Sequence, residues 1–75
     1  MSRVSRGSDR AVLRALQRLG FVVTHVRGSH YYLRRPGEGG LVVVPVHGHR
    51  DLPVGTMQSI LRQAGMTAEE LASLL

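Results

Sequence analysis

Six consecutive residues, Arg27-Gly28-Ser29-His30-Tyr31-Tyr32, bring a guanidinium, a glycine, a hydroxyl, an imidazole and two phenols together. An imidazole has an unperturbed pKa of about 6.5, so it both takes and returns a proton near neutrality. A guanidinium offers forked donors that match two oxygens of a phosphate. Side by side, these groups suit proton transfer on a phosphodiester. Gly28 supplies the freedom to take positive φ at a tight turn, and Ser29 either bonds a phosphate or caps that turn. A second cluster, His47-Gly48-His49, sets two imidazoles on one side of an extended segment. No third ligand follows at a metal-binding spacing, since His25 and His30 fall in other elements, so no metal is expected. The chain has no cysteine, which excludes a disulfide, a thiolate metal site and a cysteine nucleophile.

The elements that must hold these residues are short. Residues 1–7 carry Arg3 and Arg6 with little apolar periodicity and read as a flexible basic arm, ahead of a single domain over 8–75. Ser8 or Asp9 can cap a first helix in which Val12, Leu13, Leu16 and Leu19 share one face. Arg10, Arg14 and Gln17 take the other side, either as a solvated face or as a ridge for phosphate, and Gly20 stops the helix. Phe21 to Arg27 is short and β-branched, a strand whose imperfect alternation leaves its buried face unassigned. His30 to Arg35 alternates cleanly, with His30, Tyr32 and Arg34 on one side and Tyr31, Leu33 and Arg35 on the other. Pro36-Gly37-Glu38-Gly39-Gly40 has the composition of a hairpin connection. Leu41 to Val46 is a third strand, and Pro45, with no N–H to donate, belongs at a sheet edge.

A second helix is expected from Gly55-Thr56, with Thr56 as its cap and Met57, Ile60, Leu61 and Ala64 as its apolar stripe, closed by Gly65. Thr67 and Glu70 have capping-box spacing ahead of Leu71, Leu74 and Leu75, which predicts a short last helix across the end of the core. The order predicts an α+β fold, a three-stranded antiparallel sheet with helices on one face. Seventy-five residues support one core, and 43% apolar residues is a globular composition. The net charge is +5 and every basic residue is arginine, which favours a polyanionic partner. No apolar run is long enough for a signal segment or a membrane span, so a cytoplasmic location is expected. No phosphate-binding loop, dinucleotide-binding glycine pattern or heptad run is present, and no small-molecule cofactor is expected.

Four segments in this order, Leu19-Gly20-Phe21, Gly28-Ser29-His30, Val44-Pro45-Val46-His47-Gly48 and Gly55 through Gly65, resemble the HicA toxins of bacterial and archaeal toxin-antitoxin modules. The resemblance runs from about Ser8 to Leu75. It implies a fold like that of the double-stranded-RNA-binding domain, an activity as an mRNA interferase, and a partner antitoxin, HicB. The family's catalytic histidine falls on His30. Two positions depart from the family pattern: Tyr31 stands where a second histidine often follows, and Arg10 stands where a lysine is usual. Arginine keeps the charge. A phenol, with an unperturbed pKa of about 10, does not replace an imidazole as a base near neutrality.

The function expected on these grounds is a metal-independent endoribonuclease, the toxin of a type II module. RNA carries its own nucleophile, the 2′-hydroxyl, so the protein need only move protons and neutralise charge. His30 is the proton-transfer candidate. Arg10, Arg27, Ser29 and Arg34 are candidate RNA ligands, Gly28 is the structural turn, and His47 is read as tying the third strand to the loop after it. Two other readings use the same charge: a non-catalytic RNA-binding module, and a basic protein that meets an acidic partner.

Overall fold

A computed structural model describes residues 7–75, so positions 1–6 of the expected basic arm lie outside the described residues. The elements run α1 (Asp9–Arg18), β1 (Val22–Arg27), β2 (His30–Arg34), β3 (Leu41–Pro45), α2 (Val54–Ala64) and α3 (Ala68–Ala72). The strands form one antiparallel sheet in the order β1-β2-β3, a meander that leaves β3 at an edge, where Pro45 costs no ladder bond. This is the α+β arrangement expected from the sequence and from the resemblance.

Helix α1 starts where Ser8 Oγ accepts the N–H of Ala11 at 3.2 Å. Its apolar stripe buries Val12, Leu13 and Leu16, with Ala15 between them. Leu19 caps the helix, and Gly20, at φ +99, turns the chain into β1. Across the sheet, Leu33, Val42 and Val44 point toward the helices and are fully buried with Val12, Leu16 and Ile60, forming one core that Phe21, Val46, Leu52, Ala64 and Leu71 complete. Arg35 lies over the Phe21 ring, 4.7 Å from its centroid, and pairs with Glu38 at 3.1 Å to close the loop after β2.

The second half departs from expectation in two places. Helix α2 starts at Val54 and not at Gly55-Thr56: Pro53 is its N-cap, no side chain caps it, and Met57 N–H returns to the Pro53 carbonyl at 2.9 Å. Proline, with φ already fixed at −58°, does by backbone geometry what Thr56 was expected to do by hydrogen bonding. Gly65 ends the helix in the left-handed region, with Met66 N–H bonded back to Leu61 O at 3.1 Å. In α3 the Thr67–Glu70 capping box forms as expected and Leu71 is buried, but Leu75 is exposed because the helix stops at Ala72. The edge of β3 is covered as well: Gln63 Oε1 of α2 accepts Val43 N–H at 3.0 Å.

Candidate active site

The register decides which side chains can act together. Cross-strand partners in an antiparallel sheet share a face. Arg27, His30 and Pro45 therefore form one row, His25, Tyr32 and Val43 a second, and Val22, Arg34 and Leu41 a third, all on the face away from the helices. Val23, Leu33 and Val42 pair on the inner face. A β-bulge at Thr24 reconciles the two ends of β1: residues 23 and 25 would share a face in a regular strand, but the extra residue turns His25 outward. That irregularity is why the alternation of this strand could not be assigned from its sequence.

His30 opens β2 at the mouth of a two-residue hairpin. Arg27 and His30 are the closing pair, Gly28 takes φ +58, and Ser29 follows at negative φ, the pattern of a type II′ turn. His30 and Arg27 are both exposed, and neither side chain makes a hydrogen bond or ion pair among the described residues. An unengaged imidazole beside an unengaged guanidinium is available to a ligand.

A second segment closes on this turn. Val46 N–H donates to Ser29 O at 2.7 Å, and the His47 ring lies with Nε2 3.5 Å from Ser29 Oγ, at the long end of hydrogen-bond range. His47 was expected to tie the third strand to the loop after it; instead its backbone N–H donates to Asp9 Oδ2 of α1 at 2.6 Å, across 38 positions of sequence. The ring itself is exposed. Asp9 also accepts Arg10 N–H at 2.6 Å and donates its own N–H to Arg50 O at 2.8 Å, while Ser8 bridges to Asp51. The first turn of α1 thus clamps the segment 47–51, which includes His49 at φ +51 directly after Gly48 at +69. A non-glycine residue in that region is strained and needs such a clamp.

Of the sequence-predicted residues, His30, Arg27, Ser29 and Gly28 meet at one end of the sheet. Arg34 shares the face but lies four residues along β2, about 13 Å away, and its guanidinium reaches Gly39 O at 3.3 Å. Arg10 belongs to the helical layer, one residue from Asp9 and so beside the clamped segment. Sequence reasoning missed Asp9 as more than a cap alternative. Ser8 takes the cap, which frees the Asp9 carboxylate, 1% exposed, for the distant His47 N–H. It also missed the pairing of His25 with Tyr32, whose rings stack with centroids 4.3 Å apart and planes 7° from parallel. Among the described residues no group of three or more His, Cys, Asp or Glu is placed to hold a metal ion.

No curated protein matches the chain closely enough to count as a relative. A family model described as the HicA toxin of bacterial toxin-antitoxin does match, over residues 10–66, a span that takes in the His30 turn, the Ser29–His47 contact and α2. With three quarters of its length matched, the chain belongs to the HicA toxin family.

Proposed function

We propose that this chain is the toxin of a type II toxin-antitoxin module and an endoribonuclease that cuts mRNA through His30 without a metal. One observation carries the reading: His30 and Arg27 are a cross-strand pair on the helix-free face, both exposed and both unengaged by other described side chains. In the reaction that suits this pair, the ribose 2′-oxygen loses its proton and attacks the adjacent phosphorus. The bond to the 5′-oxygen breaks, and that oxygen leaves with a proton. His30 moves one of these two protons, and Arg27 offsets charge on the non-bridging oxygens. The exposed His47 ring, with Nε2 3.5 Å from Ser29 Oγ in the turn, is the first candidate for the other proton. A HicB-type antitoxin silences the toxin by covering this same face, because a domain this small has few other surfaces on which to exclude a polyanion.

The test is cleavage of a long mRNA by purified protein in EDTA. His30→Ala should cut about 100-fold to 10,000-fold more slowly, the usual range for general acid-base catalysis, with its circular dichroism and RNA affinity retained. A folded His30→Ala protein that cuts at the original rate would remove His30 from the mechanism. His47→Ala, in the same assay, should lower the rate and leave binding intact if its ring carries the second proton.

A further inference from the structure

The helix-free face carries a feature that proton transfer at His30 does not use. One row from the Arg27–His30 pair, the imidazole of His25 and the phenol of Tyr32 lie stacked, 4.3 Å apart and 7° from parallel. Thr24, the bulge residue, holds them. Its hydroxyl donates to the Tyr32 carbonyl oxygen at 3.2 Å, and with the hydrogen so placed its oxygen accepts from His25 Nδ1–H, also at 3.2 Å. A bulge that turns His25 outward and a hydroxyl that fixes its ring make a flat π-surface on the exposed edge strand.

The charge around this surface has one sign. Arg27 and Arg34 flank it in the neighbouring rows. The chain's five acids, Asp9, Glu38, Asp51, Glu69 and Glu70, all lie outside the strands. Stacked rings between arginines are the elements of a single-strand platform, in which bases stack on aromatics while the backbone follows positive charge.

We infer that the His25–Tyr32 stack is a base platform for unpaired RNA. A base of the substrate continues the stack on His25 while a neighbouring phosphate meets Arg27 and His30, about 7 Å along the strand. The substrate is therefore single-stranded where it is bound, since a duplex keeps its base faces covered. A double-stranded-RNA-binding-like fold would by itself suggest a duplex. This inference rests on the ribonuclease reading for the identity of the ligand, and extends it from the reacting phosphate to the base beside it.

The probe is a short RNA strand fully 2′-O-methylated, which removes the nucleophile, with one 2-aminopurine, compared with its blunt duplex. The wild-type protein should prefer the single strand and quench the 2-aminopurine. His25→Ala and Tyr32→Ala should each bind it about 5-fold to 150-fold more weakly, the range for loss of one base–aromatic stack, and Tyr32→Phe should bind as wild type. On cleavable RNA the two alanine variants should raise KM and leave kcat unchanged. Preference for the duplex would overturn the platform, and so would a folded His25→Ala protein with wild-type affinity and quenching. If the alanine variants keep RNA affinity and lose only antitoxin affinity, the face belongs to the protein partner and the inference fails. A wild-type protein that quenches the probe but never cuts RNA would sink the nuclease reading and leave the platform standing.

Discussion

Replacing Asp9 should unfasten the helix from the loop, and the cost can be worked from its contacts. Asp9→Ala leaves the Asp9 N–H to Arg50 bond intact, because that donor is backbone, and removes both carboxylate acceptors. The Arg10 N–H is an unpaired donor at a helix start and finds water readily. The His47 N–H loses a bond to an ionised group, worth about 1.5–3 kcal/mol. Loss of a negative charge at a helix N-terminus adds roughly 0.3–1 kcal/mol. Against these stands the relief of a buried carboxylate, so the net loss should be about 2–3 kcal/mol. A domain of this length holds only about 4–11 kcal/mol at roughly 0.05–0.15 per residue. At about 4–8 °C per kcal/mol for this size, the melting temperature should fall by about 8–24 °C. Asp9→Asn keeps the shape and one acceptor oxygen, and should lose roughly half as much. Thermal unfolding followed by circular dichroism at 222 nm, a wavelength that reports helix, reads both variants. If Asp9→Ala melts within about 3 °C of the parent, the carboxylate is not what holds the 47–51 segment.

Three further outcomes are expected. Gly28→Ala should destabilise by about 1 kcal/mol, because φ +58 disfavours any Cβ although the space is open within 4 Å; Gly28→Asn should cost less, and denaturant midpoints that match the parent would show that the turn does not need a glycine. RNA affinity should fall with salt at a log–log slope of about 0.7 per phosphate neutralised on a single strand, and an affinity flat from low to physiological salt would mean that the basic face is not the RNA site. The antitoxin should bury at least about 1,000 Å² in total with His30 inside the interface, and a complex that leaves His30 accessible to RNA would refute neutralisation by coverage.

Much of the fold was legible because periodicity is a local property. Leu33 buried between outward Tyr32 and Arg34, or the Thr67–Glu70 capping box, follows from spacing alone. The His30 turn was legible for the same reason, since Arg27 through Tyr32 are adjacent in sequence. What escaped needed either a register or a long-range partner. One inserted residue at Thr24 reverses the face of His25, and nothing in β1 itself announces it. Asp9 and His47 find each other across 38 positions, so the carboxylate reads locally as one more cap beside Ser8. The start of α2 escaped because Pro53 acts through a fixed torsion, while Thr56 offered the more familiar hydroxyl.

The covered edge of β3 bears on how this sheet can grow. Outward-pointing donors recur at every second residue of an edge strand, so the free side of β3 would offer the N–H groups of Leu41, Val43 and Pro45. Gln63 occupies the second, and proline has none to give. Gly40, just before the strand, passes so close to the α2 backbone that an added Cβ would sit 3.2 Å from Gln63 O. Of these three donors an incoming strand meets only the Leu41 N–H, beside the carbonyls of the same residues. Strand addition is thus hindered along β3, and along β1 the bulge at Thr24 breaks the ladder midway. Each edge of the sheet therefore carries its own obstacle to growth by edge pairing, a side chain on β3 and an inserted residue in β1.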